Sequence, residues 1–290
     1  MSKGKNRAIL RLRIFSDEET YMLFYVYLLL ALCAAVLGFV CIRSIKLWAA
    51  ALLFLGVLLG LLLLHTLVLV IASLFVNKND PSKNAFGFYK KLMMTSIGTF
   101  LALGGVRYTL EGEEKLPQKG GFLLVCNHRS MFDPMISMHA LQKQGLVFIT
   151  KKENISIPVG GPLMLGMGCP SLDRGSARQA MGLMKDTARR MSEGEAMGVY
   201  PEGTRSKTGL LGSFKPGAFK CALWAKVPVV VATVEGTENI HRRFFFRRPT
   251  KVTMRILETI PYETLQDMDT AAIAHAARAC MLEKGGLCEA

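Results

Sequence analysis

Between Tyr21 and Val76 the chain has no acidic residue, and its only formal charges, Arg43 and Lys46, sit together in one short interruption of an otherwise apolar run. The first half, residues 21–42, would extend about 33 Å as a helix at ~1.5 Å per residue, enough for a hydrocarbon core of ~30 Å. The second half, residues 47–76, is longer still and would tilt or protrude. A soluble core has few ways to cover two such helices, so the pattern predicts a transmembrane helical hairpin over 21–76. The competing arrangement is a hydrophobic hairpin buried in a soluble protein.

A hairpin returns the chain to its starting side. Lys3, Lys5, Arg7, Arg11 and Arg13 precede it, and Lys78, Lys83, Lys90 and Lys91 follow it, outnumbering the two cations of the turn. The positive-inside rule therefore puts the basic tail, residues 1–20, and everything beyond 76 in the cytoplasm, with the hairpin in the cell inner membrane. No small-residue cleavage signature follows the first apolar run, so it reads as a retained anchor. His65 lies inside the second span, where no acidic partner exists; it is expected to be neutral and hydrogen-bonded to the neighbouring helix.

Composition narrows the partners. The chain is 51% hydrophobic yet carries a net charge of +14, which suits anionic head groups or anionic substrates, and the spans favour membrane lipids over nucleic acid. Its seven cysteines form no C-x-x-C pair, so neither a zinc site nor a disulfide framework is expected. Residues 77–105 read as a turn-rich linker and an amphipathic helix, 85–103, lying on the membrane. In residues 106–290, strands at 106–110, 121–125, 146–150, 196–200, 227–234 and 251–260 alternate with helices at 134–142, 176–193, 214–226 and 270–284. That alternation predicts an α/β fold with a largely parallel sheet and active loops at the strand ends. Gly160, Gly161, Gly166 and Gly168 form neither G-x-G-x-x-G nor a P-loop, so no nucleotide site is expected.

The candidate chemistry sits where the apolar strand Gly121-Phe-Leu-Leu-Val125 runs into Cys126-Asn-His-Arg-Ser-Met-Phe-Asp133. Pro134 suits the first turn of a helix, which makes Asp133 the expected N-cap. On a continuous helix, five steps at ~100° each would put His128 and Asp133 on different faces; a loop can bring them together. A neutral histidine takes a proton from an attacking hydroxyl, and a carboxylate on its other nitrogen fixes the tautomer. Asn127 is placed to brace the turn. The plain alternative is a helix cap beside an incidental histidine.

Further along come Lys151-Lys152-Glu153 with Pro158, Gly161 and Asp173-Arg174, then Tyr200-Pro-Glu-Gly-Thr-Arg-Ser206, then Val227-Pro-Val-Val-Val-Ala-Thr-Val-Glu-Gly-Thr237. Together with Asn127, His128 and Asp133, these resemble the four sequence blocks of the glycerolipid acyltransferase family, typified by the 1-acylglycerol-3-phosphate acyltransferases. The resemblance covers roughly 121–237. Tyr200 stands where phenylalanine is usual, and Val231 where many relatives have proline. It implies a glycerol-3-phosphate acyltransferase-like α/β domain with an N-terminal transmembrane helical hairpin. It also implies one-step acyl transfer to lysophosphatidic acid from a donor on coenzyme A (acyl-CoA) or acyl carrier protein (acyl-ACP), with no metal and no cofactor. His128 would be the base and Asp133 its orienting partner. Asn127, Lys152, Glu202, Gly203, Thr204 and Arg205 would form the substrate site, with Lys152 and Arg205 on the acceptor's phosphate.

Other readings stay open at this level. Cys126 or Ser130 could carry the acyl group in a ping-pong scheme. Arg205 could be a plain surface charge, and the Arg242–Arg248 stretch (RRFFFRR) either an interfacial loop or a pair of charged turns around core phenylalanines. The acceptor could be another lysolipid or an amino-lipid, or the chain could bind phospholipid without catalysis.

Overall fold

The computed structural model describes residues 18–42, 46–173, 175–245 and 249–289. Residues 1–17 of the basic tail, residues 43–45 of the hairpin turn, Arg174, residues 246–248 of RRFFFRR and Ala290 lie outside the described residues.

Two apolar helices, α1 (Glu18–Cys41) and α2 (Leu47–Leu74), pack against each other. Ala31, Ala35 and Ala50 are buried, and such small side chains let helix backbones approach closely. Both helices are long and apolar enough to cross a membrane. In the most apolar 18 residues of each helix, only 11% in α1 and 0% in α2 are buried, the reverse of a soluble core helix. The pair thus presents a leucine-rich surface facing outward, which suggests membrane association.

The third helix, α3 (Phe86–Leu103), packs on α1 and buries Tyr89, Ile97 and Leu101, leaving Phe88, Lys91 and Leu103 exposed. The Tyr89 hydroxyl donates to the Ala72 carbonyl of α2 at 3.2 Å. His65 bonds Tyr27 Oη at 3.1 Å through Nδ1 and Ser96 Oγ at 3.0 Å through Nε2, so it ties α1, α2 and α3 together. The sequence foresaw the bond to one neighbouring helix; the third helix is an addition.

The α/β part follows in the order β1 (Val106–Glu111), β2 (Phe122–Cys126), α4 (Asp133–Ala140), β3 (Val147–Phe148), β4 (Thr150–Lys151), α5 (Gly160–Gly166), β5 (Ser171–Leu172), α6 (Ala177–Ser192), β6 (Ala196–Val199), α7 (Lys220–Ala225), β7 (Val229–Glu235), α8 (Ile240–Phe245), β8 (Thr250–Ile260), α9 (Tyr262–Leu265) and α10 (Thr270–Glu283). Six strands form one sheet in the order β1-β8-β7-β2-β6-β3, parallel except for the antiparallel pair β7–β8. Every residue of β2 is buried, as an unbroken apolar run between two paired strands requires.

Three expectations need correction. The predicted strand 146–150 divides at Ile149, because Val147–Phe148 pairs with β6 while Thr150–Lys151 leaves the main sheet to pair with β5. The predicted helix 214–226 is only α7, preceded by a 3₁₀ turn at Pro216–Phe219, where the missing proline N–H suits a first turn but not a helix interior. Asp133 is not an N-cap. Phe132 holds that position without a side-chain bond, and Asp133 is the first helical residue, its carboxylate turned back into the preceding loop.

Candidate active site

At the C-terminal end of β2 the chain enters the loop Asn127–Phe132. Asn127 continues the pairing of β2 with β7 by side chain: its Nδ2 donates to the Val234 carbonyl at 3.0 Å and its Oδ1 accepts from the Val234 N–H at 2.8 Å. Both ends of its amide are spent on the backbone, so it braces the loop.

His128 is held on both sides of its Cα. Its N–H donates to Glu202 Oε1 at 3.0 Å, and its carbonyl accepts from the Ser206 N–H at 2.7 Å. The Glu202 side is buried, and its second oxygen accepts from Gly212 N–H at 3.1 Å. The imidazole stacks on Tyr200, with centroids 4.0 Å apart and planes 14° apart, and Tyr200 stacks on Phe148 at 4.8 Å. Any flat ring at position 200 can serve that stack, which explains why tyrosine stands in for phenylalanine.

Nδ1 of His128 lies 2.9 Å from Asp133 Oδ2. The same oxygen accepts from the backbone N–H groups of Arg129 at 2.7 Å and Ser130 at 2.8 Å, while Oδ1 accepts from the Thr237 hydroxyl. Asp133 is fully buried, and four donors converge on its carboxylate. A carboxylate at Nδ1 keeps the imidazole proton on that nitrogen and leaves the Nε2 lone pair free. The His128 side chain remains 18% exposed, so the ring is open to a ligand.

The other predicted residues divide. Gly203, at φ +74°, closes a turn with its N–H on the Tyr200 carbonyl, a left-handed conformation that favours glycine. Thr204 and Arg205 are exposed in the same turn, two positions and one position before the Ser206 N–H that holds His128. Lys152 stands elsewhere, on the 3₁₀ turn after β4, where its ammonium pairs with Asp173 at 2.8 Å. That bond, first of the causes, holds the Asp173 carboxyl below its ordinary range.

Cys126 is completely buried, and burial, followed by the nearby Asp133 charge, pushes its thiol well up. Ser130 is buried too, its hydroxyl accepting from the Phe132 N–H at 3.3 Å. Neither presents a nucleophile. Burial likewise raises the Tyr200 phenol well above its usual value, so it stays neutral beside the imidazole.

Sequence reasoning did not single out Thr237, Tyr200 with Phe148, or the Ser206 N–H as parts of the site. Tyr200, Ser206 and Thr237 all stand inside the resembled sequence blocks, whereas Phe148 left no signal; Gly236, at φ +92°, turns the chain just ahead of Thr237.

Residues 107–235 match the model of a family described as Acyltransferase. The matched stretch runs from β1 through β7 and contains His128, Asp133, Lys152 and Glu202–Arg205. The chain is 32% identical over 189 residues to 1-acyl-sn-glycerol-3-phosphate acyltransferase beta of Homo sapiens, covering 64% of this chain and 67% of the human protein. It is 29% identical over 148 residues to the 1-acyl-sn-glycerol-3-phosphate acyltransferase of Borreliella burgdorferi, covering 51% and 59%. The chain spans about half to two thirds of the length of the curated relatives it matches. The crystal structure of the 1-acyl-sn-glycerophosphate (LPA) acyltransferase PlsC from Thermotoga maritima superposes with a TM-score of 0.52 at 20% identity, over 76% of this chain and 88% of that one, a likeness of fold.

Proposed function

This chain belongs to the acyltransferase family, and we propose that it transfers an acyl chain from an acyl thioester to the free hydroxyl of 1-acyl-sn-glycerol 3-phosphate, giving phosphatidic acid in phospholipid biosynthesis. The observation that carries this reading is the His128–Asp133 pair at 2.9 Å, on a loop clamped from both sides, with the imidazole partly exposed. The names of the relatives supply the acceptor.

In the proposed step, Nε2 takes the proton of the acceptor hydroxyl as its oxygen attacks the thioester carbonyl. Asp133 favours the imidazolium that forms. The tetrahedral intermediate then collapses, the C–S bond breaks, and the leaving thiolate takes the proton back from His128. The thioester, on coenzyme A or acyl carrier protein, is a substrate, and the step calls on no cofactor or metal. Arg205, exposed beside the His128 clamp, is assigned to the acceptor's phosphate. Lys152 is a second candidate, already engaged by Asp173. The hairpin and the exposed side of α3 hold the domain to membrane lipid, and the excess of cations flanking the hairpin favours the cytoplasmic face of the inner membrane.

The test is an assay of the purified full chain against a panel of lysolipid and amino-lipid acceptors, each with acyl-CoA and acyl-ACP. Transfer to lysophosphatidic acid above all other acceptors supports the proposal. Preference for another acceptor replaces the substrate, and transfer to none leaves a phospholipid-binding membrane protein.

A further inference from the structure

Every donor nitrogen of the Arg278 guanidinium is engaged. Nε donates to the Gly212 carbonyl at 2.9 Å, Nη2 to the Leu211 carbonyl at 3.1 Å, and Nη1 pairs with Glu289 at 2.9 Å. This is a planar fork closing on two consecutive carbonyls, a geometry that lysine cannot reproduce. Arg278 lies on α10, outside all four family blocks and past the stretch that the family model matches.

The two residues it grips have no other freedom. The Leu211 N–H donates to the Cys288 carbonyl at 2.8 Å, and Leu211 bridges to Glu289 in parallel register. The Gly212 N–H donates to Glu202 Oε2 at 3.1 Å. All four backbone polar groups of Leu211–Gly212 are therefore committed, three of them to α10 and the segment that follows it. The direction of the Gly212 N–H is set by that grip. Glu202 is buried, and its remaining oxygen accepts from the His128 N–H. A single carboxylate thus joins the loop held by Arg278 to the backbone of His128.

We infer that Arg278 is a positioning residue for acyl transfer, acting on His128 through Gly212 and Glu202. This rests on the reading of His128 as the base. Without the fork, two carbonyls beside the buried Leu211 lose their donors, the Gly212 N–H is free to turn, and Glu202 no longer has a fixed partner against which to hold His128. The chain of bonds ends on the backbone of His128, so the loss is expected in turnover.

The experiment is a double-mutant cycle on the full chain, with Arg278→Ala, Glu202→Gln and the pair, recording kcat, both KM values and thermal unfolding. Arg278→Ala is expected to lower kcat by about ten- to a hundredfold, the scale of a misplaced catalytic group, with both KM values little changed. The double variant is expected to be no slower than the slower single one, because residues acting in series do not add. Arg278→Lys should recover only part of the loss; full recovery would mean that charge on Glu289, not the fork, matters, and would overturn the inference. Multiplying losses, or a loss confined to KM, would overturn it as well. If Arg278→Ala does not fold, Arg278→Lys takes its place in the cycle: a double variant no slower than the slower single one supports the inference, and multiplying losses overturn it. His128→Ala separates the two levels. Retained activity there removes the base, and this inference with it; a dead His128→Ala with multiplying losses in the cycle removes this inference alone.

Discussion

The Thr237 hydroxyl donates to Oδ1 of Asp133, the carboxylate oxygen that His128 does not use. The two residues are 104 positions apart, and the bond ties the end of β7 to the start of α4. Thr237→Val keeps the shape and removes the donor. A hydrogen bond to a charged group is worth about 1.5–3 kcal/mol, so turnover should fall by about tenfold or more. Thr237→Ser should restore it. Steady-state kinetics of the two variants check this, and an unchanged Thr237→Val would remove Thr237 from the site.

General-base assistance is worth about 100- to 10,000-fold. His128→Ala should lose at least that much while membrane extraction and thermal unfolding stay unchanged. Asp133→Asn should lose comparably, because an amide can donate to Nδ1 and impose the wrong tautomer. A His128→Ala protein keeping half its activity would end the mechanism.

Arg205→Ala should impair lysophosphatidic acid far more than an acceptor lacking the phosphate, since the lost charge-assisted bonds are specific to that group. Lys152→Ala should show the smaller acceptor selectivity, because its ammonium is already held by Asp173. That pairing persists above the ordinary carboxylate range and is lost only as pH falls through the depressed pKa of Asp173. Acceptor selectivity measured at neutral pH therefore reads the paired state. Equal losses for both acceptors would return Arg205 to a structural or donor-binding role.

A thiol raised by burial is protonated at neutral pH, so Cys126 should resist maleimide in the folded protein and react once unfolded. Cys126→Ala should keep turnover within about threefold, the cost of a small cavity rather than of a lost nucleophile. Trapping of an acyl-Cys126 intermediate by mass spectrometry would restore the ping-pong scheme.

Much of this protein was legible in its residues taken in order. Charge-free runs of fixed length announce two helices fit for a membrane, because hydrocarbon demands apolar side chains and internally bonded backbone. The unbroken apolar β2 and the helix read over 176–193, which forms as α6 with Ser176 accepting from the Gln179 N–H at 3.3 Å, are local signals that the structure keeps. The approach of His128 and Asp133 was also legible, since a proline after the aspartate favours a loop that can bring the two together, and they lie 2.9 Å apart.

Sequence order by itself determined most of the elements and brought forward His128 and Asp133 as candidates, because propensity, capping and hydrophobic periodicity act over a few residues. Tertiary structure alone decided which groups hold His128 in place. Glu202 reaches it across 74 positions and Thr237 reaches Asp133 across 104, while Arg278 grips Gly212 from 66 positions away. It also turned Asp133 from a helix cap into the centre of four donors, and divided the strand at Ile149 between two sheets. Such contacts depend on where parallel strands place their ends side by side, and no local pattern encodes that distance.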